Sequence, residues 1–417
     1  MTSILLLPLL LYICFLAPAR AQSKTQHVST ELFNSLEELS RIVDISYCVG
    51  TTGVQQPFQC LSRCDEFPDL ELVTTWNTGV LLSDSCGYIA LSHTPASKKI
   101  ILAFRGTYSI TNTIIDLSAY PQAYIPYPDP DENPTTTPLR PAGPRCENCT
   151  VHAGFMRSWL HTRAEILPQI SALREKHPDY AITLVGHSLG GAVAALAGLE
   201  MRLKGWDATV TTFGEPMIGN EEFARFLDEQ FGLGNGIAIP PLDPPLHTPP
   251  GGGLGRGQRF RRVTHIGDPV PMLPLAEWGY RPHAGEIFIS REGLPPQLED
   301  AVHCVGAEDP KCIAGGGSEG LLVELYRYLN VPVGLASTGS SGDGCQSTGD
   351  GAASEEQEVL GRAGVSSDIA GCEDKLSPLR WGWSLIPARY RLWELFYAHR
   401  DYFWRIGLCV PGGDPTG

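Results

Sequence analysis

The stretch Ile182–Ala192, with the sequence ITLVGHSLGGA, decides the fold class of this chain. Its first four residues, Ile182–Val185, form a short apolar run that is typical of a buried β-strand. The small residues of Ala192–Leu203 then predict an apolar helix. Between strand and helix lies G-H-S-L-G, which matches the G-x-S-x-G nucleophile elbow in the structural context that this turn requires. We therefore interpret Ser188 as a nucleophile at the carboxyl edge of a sheet.

Four residues next to Ser188 are expected to shape this turn. Gly186 and Gly190 carry no Cβ atom, so the strand and the helix can pack closely around the serine. The His187 side chain is expected to pack behind it. The Leu189 amide stands at the start of the helix, where it favours developing negative charge, and we predict it as one donor of an oxyanion hole. The alternative reading is a glycine-rich turn of purely structural function.

A serine hydroxyl needs a base, and the base needs an acid to orient it. In this type of fold the acid follows the serine in the chain and the histidine comes last. Asp268 directly follows the predicted strand Arg262–His265 and its short turn, so we predict it as the acid. Asp243 is a poorer candidate because it lies in a Pro/Gly-rich stretch, and the neighbours of Glu215 indicate a structural turn.

The base is expected near the C-terminus. Among the histidines that follow the predicted acid, His399 is the best placed. His283 and His303 are expected to make structural hydrogen bonds instead. The second oxyanion donor should follow an earlier strand, and Ile100–Phe104 is such a strand. We therefore predict the amide of Thr107, together with its hydroxyl, as that donor.

Strands and helices alternate along the chain, which predicts an α/β fold with helices on the faces of a central sheet. The expected helices are 31–48 and Phe155–Arg174, in addition to the helix after the elbow. Further strands are expected at Tyr88–Leu91, Val210–Phe213 and Ile287–Ser290. Three stretches rich in Pro, Gly or Ser are expected to be loop insertions into a single domain that spans 22–417, at about 121–145, 240–258 and 334–375.

The N-terminus predicts export. Ile4–Ala17 is almost entirely apolar and Ala19-Arg20-Ala21 matches a cleavage site, so residues 1–21 are interpreted as a signal peptide, with a retained anchor as the alternative. The formal net charge of −15 gives the chain no electrostatic reason to bind nucleic acid. Most of the twelve cysteines should pair in an exported protein. Cys146-x-x-Cys149 has no second such pair to form a zinc site, and Asn148 begins an N-glycosylation sequon.

Taken together, these segments resemble the fungal class 3 lipase family of the Rhizomucor and Thermomyces type, which also contains feruloyl esterases. The segments that carry the resemblance are Phe104–Thr107, Val151–Phe155, the elbow, Phe213–Pro216 with Gly219 and Asn220, Gly267–Pro271, and His399 with Tyr402 and Phe403. The resemblance implies an α/β-hydrolase fold, a triad of Ser188, Asp268 and His399, an oxyanion residue at Thr107, and neither metal nor cofactor.

The family also implies a lid directly after the oxyanion residue. Apolar side chains of that segment are Ile110, Ile114, Ile115 and Leu117, three of which recur at helical spacing. The alternative is an ordinary surface helix. Thr113 replaces a tryptophan that is common in family lids, and residues 314–389 exceed the usual spacing between the acid and the histidine. Both departures bear on lid behaviour and substrate preference rather than on the chemistry.

The family pattern further implies the disulfides Cys48–Cys409, Cys60–Cys64 and Cys146–Cys149. Local spacing adds Cys304–Cys312, Cys345 and Cys372 could close the insertion, and Cys86 would remain as a buried thiol.

We therefore expect a secreted, monomeric serine ester hydrolase that acts as a triacylglycerol lipase and contacts a lipid surface transiently. The alternatives are a feruloyl or other cell-wall esterase, which would share every catalytic residue, and a catalytically silent binding protein.

Overall fold

A computed structural model describes residues 26–79, 85–95, 97–107, 121–124, 144–233, 258–315 and 397–410 of the 417-residue chain. Its four α-helices in these ranges are α1 (Thr30–Ile45), α2 (Ala153–Lys176), α3 (Leu189–Leu203) and α4 (Glu221–Phe231). Its strands are β1 (Gln26–His27), β2 (Val54–Gln55), β3 (Gln59–Cys60), β4 (Leu70–Asn77), β5 (Cys86–Ser92), β6 (Lys99–Arg105), β7 (Pro121–Ala123), β8 (Thr150–His152), β9 (Ala181–His187), β10 (Ala208–Phe213), β11 (Phe260–His265), β12 (Glu286–Ile289) and β13 (Ala301–His303).

Nine of these strands form one sheet in the order β1-β13-β12-β11-β10-β9-β6-β5-β4. The five central strands, from β12 to β6, run parallel to one another. Antiparallel strands close the sheet on both sides, β5 and β4 at one edge and β13 and β1 at the other. A mostly parallel sheet flanked by helices confirms the predicted α/β-hydrolase fold class.

The sheet is buried on both faces, and β6 shows how the chain achieves this. Ile100, Leu102 and Phe104 pack into one hydrophobic cluster, together with residues of α2, α3 and α4. Ile101 and Ala103 point to the opposite face, where they pack with residues of α1. Successive side chains of a strand alternate between faces, so a nearly continuous apolar strand is required where both faces are covered.

Several elements differ from the sequence expectations. Helix α3 begins directly after Ser188 instead of at Ala192, and α1 ends at Ile45 with a short 3-10 turn at Ser46–Cys48. Pro121–Ala123, which was expected to begin a loop, pairs with β8 in a separate two-stranded ladder. Within the described ranges, every helix is too short or too polar to cross a membrane.

Four disulfides join the pairs Cys48–Cys409, Cys60–Cys64, Cys146–Cys149 and Cys304–Cys312. Cys86 is buried, and its thiol donates to the Asn77 side-chain oxygen at 3.0 Å. Asn148 lies in the loop that the third disulfide closes, and its side chain is exposed. Cys345 and Cys372 lie outside the described residues, as do the predicted signal peptide and most of each predicted insertion.

The C-terminal segment, residues 397–410, packs against α1 and not within the sheet. The rings of Phe33 and Phe403 meet edge to face with centroids 5.0 Å apart. The Trp404 indole donates to the Glu37 carboxylate at 2.5 Å. The disulfide of Cys409 with Cys48, the last residue of the 3-10 turn after α1, adds a covalent link. Helix α1 therefore anchors the part of the chain that carries His399.

Asp44 of α1 contributes a buried carboxylate to this contact. Its Oδ1 accepts from the Gly407 amide at 2.9 Å, and its Oδ2 accepts from the Ser62 hydroxyl at 3.1 Å. Burial raises the pKa of Asp44 to about 6, although both hydrogen bonds favour the ionised form. The folded protein thus holds the proton on Asp44 more tightly than the unfolded chain does. The ionised carboxylate then destabilises the fold as the pH rises from about 4 through 6.

We predict that Asp44→Asn stabilises the protein more at pH 8 than at pH 4. An asparagine oxygen can still accept from Gly407, while the desolvation of a charge is removed. A shift of the Asp44 pKa from 3.8 to about 6 should make the effect of this substitution on the free energy of unfolding differ by about 2–3 kcal/mol between these two pH values. The measurement is the free energy of unfolding by urea at both pH values, with the exposed Asp65→Asn as control. An equal effect of Asp44→Asn at both pH values would contradict the prediction.

Candidate active site

Ser188 occupies a strained turn between β9 and α3. Its backbone has φ 58° and ψ −132°, a conformation that side chains other than glycine rarely adopt and that costs on the order of 1–3 kcal/mol. The Ser188 amide donates to the Phe213 carbonyl at 2.9 Å, and the Ser188 carbonyl accepts from the Gly191 amide at 2.8 Å. These contacts hold the residue from both sides, as a nucleophile elbow requires.

Two glycines make this turn possible by close packing. A Cβ atom on Gly186 would collide with the Gly190 carbonyl, and one on Gly190 would collide with the carbonyls of Phe104 and Arg105. The start of α3 therefore lies directly against the carboxyl ends of β9 and β6. The first helical residue, Leu189, has an amide without an intrahelical partner, which suits it to donate to an oxyanion.

Asp268 and His399 meet at the carboxyl edge of the sheet although they are 131 residues apart in the chain. His399 Nδ1 donates to the Asp268 carboxylate, with distances of 2.9 and 3.0 Å to its two oxygens. Both residues are fully buried. The Val270 amide donates to Asp268 Oδ1 at 2.9 Å and the Tyr402 hydroxyl donates to Oδ2 at 2.5 Å. Three donors thus stabilise a fully buried carboxylate.

This arrangement determines which nitrogen of His399 can act as a base. Because Nδ1 donates to the carboxylate, the neutral ring carries its lone pair on Nε2. His399 Nε2 and Ser188 Oγ are both buried, and neither has a hydrogen-bond partner within the described residues. The lone pair on Nε2 is therefore available to a proton donor on the side of the ring that faces away from Asp268.

Tyr402 belongs to the segments that carry the family resemblance, but the sequence alone assigns it no role. Burial and the neighbouring charge of Asp268 raise its pKa well above the usual value, so the phenol stays protonated and remains a donor. It lies three residues after His399, just beyond the helical turn at 397–400, and both side chains reach Asp268. This spacing is the sequence signal that could have assigned it.

The His187 side chain makes two hydrogen bonds beside the elbow. Its Nε2 lies 2.9 Å from the His399 carbonyl oxygen and its Nδ1 lies 2.6 Å from the Tyr47 hydroxyl. Burial, and then the proximity of His399, lower the pKa of His187 well below its usual value. Sequence reasoning missed Tyr47 entirely.

Comparison with known proteins agrees with the geometry. The profile of the family described as "Lipase (class 3)" matches residues 101–278. The chain is 49% identical over 414 residues to "Lipase A" of Sodiomyces alcalophilus, an alignment that covers 96% of this chain and 87% of the relative. The chain belongs to the class 3 lipase family. The predicted resemblance is thereby confirmed, and the protein is an ester hydrolase of the lipase type.

Two further similarities support this assignment to the class 3 lipases. The chain is 45% identical over 413 residues to "Secreted mono- and diacylglycerol lipase 2" of Gibberella zeae, which covers 96% of this chain and 87% of that relative. The crystal structure of Lip2 lipase from Yarrowia lipolytica superposes with a TM-score of 0.58 at 34% identity, covering 70% of this chain and 90% of the other. The Gibberella zeae relative is named as secreted, in agreement with the predicted export.

Of the other predicted site residues of this lipase, Thr107 is described in the structure and the lid residues are not. Thr107 directly follows Gly106, where an added Cβ atom would lie 2.8 Å from Ser188 Cβ, so the predicted oxyanion residue is next to the elbow. The four lid residues, Ile110, Ile114, Ile115 and Leu117, lie outside the described residues, as does the rejected acid Asp243.

Glu215 and His283 form a second buried acid–histidine pair in this lipase. His283 Nε2 lies 2.9 Å from Glu215 Oε1, and both side chains are buried. His283 Nδ1 lies 2.7 Å from the Ala284 carbonyl oxygen, so both ring nitrogens are engaged. Neither nitrogen is therefore available to act as a base, which is the structural role expected for His283.

This pair supplies a matched control for the catalytic assignment. We predict that Ser188→Ala lowers turnover by roughly a million-fold, as for other triad serines. His399→Ala should be comparably damaging, since the hydroxyl loses its base. His283→Ala removes an equally buried, acid-paired histidine and should lower stability while turnover per folded molecule is retained. The measurement is kcat on a short soluble ester, together with thermal unfolding. Retained turnover in His399→Ala and its loss in folded His283→Ala would reverse the assignment.

Proposed function

We propose that this lipase hydrolyses acylglycerol esters through an acyl-enzyme on Ser188, with His399 as base and Asp268 as orienting acid. The observation that supports the proposal most directly is the Asp268–His399 hydrogen bond. It leaves the lone pair of the imidazole on Nε2, while Ser188 Oγ stands buried at the elbow. An acid, a base and a nucleophile in this arrangement are suited to acyl transfer.

In the first half of the reaction, Ser188 Oγ attacks the ester carbonyl carbon as His399 Nε2 takes its proton. The tetrahedral intermediate collapses when Nε2 returns this proton to the leaving alcohol, which breaks the ester bond and leaves the acyl group on Ser188. Water then attacks the acyl-enzyme with the same base, and the fatty acid leaves as Oγ regains its proton. Asp268 stays ionised throughout and stabilises the imidazolium.

The oxyanion of both intermediates would be held by the amides of Leu189 and Thr107. Leu189 supplies a helix N-terminal amide beside the nucleophile, and Thr107 supplies a donor from the end of β6. Donors of this kind are fixed before the reaction begins and act where water is excluded. Each is typically worth about 3–4 kcal/mol of transition-state stabilisation.

The substrate class is proposed from the family and from the segment after Thr107. A relative named for mono- and diacylglycerols and relatives named simply as lipases both indicate acylglycerols, and we propose that triacylglycerols are included. The apolar residues Ile110, Ile114 and Leu117 would form a lid face that turns toward lipid. The enzyme would act as a secreted monomer that contacts an oil–water interface transiently, whereas a feruloyl esterase would need no such face.

Two processing steps accompany secretion in this proposal. Residues 1–21 would be removed as a signal peptide. Asn148 would carry an N-linked glycan, since its side chain is exposed in the loop closed by Cys146 and Cys149. The glycan would then extend into solvent from that loop.

A substitution in the predicted lid can distinguish a lipase from an esterase. We predict that the parent enzyme hydrolyses a long-chain triglyceride emulsion faster than dispersed monomeric ester. The enhancement should be modest because Thr113 replaces the usual tryptophan. Ile114→Asp should suppress emulsion hydrolysis much more than hydrolysis of a short soluble ester, because the charge would have to enter the interface.

Asn112→Asp is the matched control, since it adds the same charge at a residue of the same segment that is already polar. It should leave the ratio of the two activities unchanged. Equal losses on both substrates in Ile114→Asp, or a parent enzyme that prefers methyl ferulate, would refute the lipase proposal and leave only the ester hydrolase.

A further inference from the structure

We infer that Tyr47 and His187 are positioning residues, which hold the main chain of the catalytic histidine in register with the nucleophile and the oxyanion loop. The inference rests on the proposed triad, because it concerns how His399 is held. Neither residue touches the reacting atoms in this proposal. They would act through a chain of hydrogen bonds that begins at Gly106 and ends at the His399 carbonyl.

The direction of this chain follows from the chemistry of its last acceptor. A carbonyl oxygen can only accept, so His187 Nε2 must donate to the His399 carbonyl, at 2.9 Å. Burial and the nearby His399 keep the His187 ring neutral by lowering its pKa, so Nδ1 carries the lone pair. The Tyr47 hydroxyl must therefore donate to Nδ1, at 2.6 Å. One tautomer of His187 satisfies both contacts.

The Tyr47 hydroxyl also reaches the oxyanion loop. The Gly106 backbone forms a hydrogen bond to this hydroxyl. A Cβ atom placed on Gly106 would lie 2.5 Å from the hydroxyl oxygen and 2.8 Å from the His187 carbonyl oxygen. A phenol can accept one hydrogen bond and donate another, so Tyr47 connects the residue before Thr107 to the residue before Ser188. A phenylalanine there could make neither contact.

Tyr47 is well placed to fix the histidine because it lies beside the anchor of the same segment. Its neighbour Cys48 forms the disulfide with Cys409, and its ring lies about 3.5 Å from where a Cβ atom of Gly407 would stand. The disulfide attaches the C-terminal segment, while the hydrogen-bonded chain acts directly on the carbonyl of His399. A small displacement of a catalytic group costs roughly ten- to hundred-fold in rate.

The test is Tyr47→Phe, which removes one oxygen atom and keeps the ring. We expect kcat on a short soluble ester to fall roughly ten- to hundred-fold, while KM stays within about two-fold because no substrate contact is lost. Tyr88→Phe is the matched control. Tyr88 is as fully buried, and its hydroxyl donates to the Ile42 carbonyl at 2.7 Å in the same hydrophobic cluster. It should lose comparable stability and keep the parent kcat.

A double-mutant cycle with His187→Leu examines whether the two residues act as one chain. If they do, Tyr47→Phe combined with His187→Leu lowers kcat no further than the more damaging single variant. Full additivity on a logarithmic scale, or a Tyr47→Phe enzyme with parent kcat, would overturn the inference, and so would an equal kcat loss in Tyr88→Phe. Ser188→Ala is assayed alongside, because activity that survives it would refute the triad and, with it, the positioning role.

Discussion

The proposed site depends on the docking of residues 397–410 onto helix α1. The nucleophile, the acid and the oxyanion residue all follow strands of the central sheet, so the sheet itself fixes their relative positions. Within the described residues, by contrast, no strand leads directly into His399. The segment that carries it is bound to α1 through Phe33, Glu37 and Asp44 and by the Cys48–Cys409 disulfide. Loss of this contact would leave the sheet intact and the site without its base.

The disulfide and the polar contacts have different effects on this docking. A crosslink between residues 361 apart stabilises mainly by restricting the unfolded chain, by roughly 6 kcal/mol in the chain-entropy model. It does not determine the orientation of a ring ten residues away. Orientation comes from the short hydrogen bonds of Asp268 to His399 and Tyr402, and from the contact of His187 with the His399 carbonyl. The buried Asp268 is tolerated because each of its charged oxygens has donors.

The sequence predicts the elements whose signals are local. The elbow is recognisable because strand, glycines and helix are contiguous, and Asp268 is recognisable because it follows a strand. Strand β4 was missed because a bulge between Leu72 and Thr74 interrupts the alternation of buried and exposed residues on which strand recognition relies. Helix α4 was also not predicted, although its sequence carries two signals for a helix. Asn220 caps its N-terminus, and Gly232 adopts the left-handed conformation after its last turn. Strands β1 and β13 are too short to show any period.

The supporting residues of the site were harder to predict for a physical reason. Tyr47 carries no motif, and its importance arises from three segments that meet only in the folded chain: the end of β6, the elbow and the C-terminal segment. A single tyrosine in an amphipathic helical sequence is indistinguishable from an ordinary core residue such as Tyr88. Only the partner of each hydroxyl separates the two residues, and that partner is a product of tertiary structure.

The helices on the two faces of the sheet have different roles. On one face α3 is almost entirely buried, and it holds the strained elbow by packing small residues directly against β6, β9 and β10. On the other face α1 packs with Tyr402, Phe403 and Ile406, so its apolar stripe belongs to the same cluster as the segment of the base. The strain at Ser188 can persist because α3 is packed on every side, while the polar contacts at α1 include the costly buried Asp44. Asp44 holds the C-terminal segment through the Gly407 amide, and an apolar residue there would leave that amide without an acceptor.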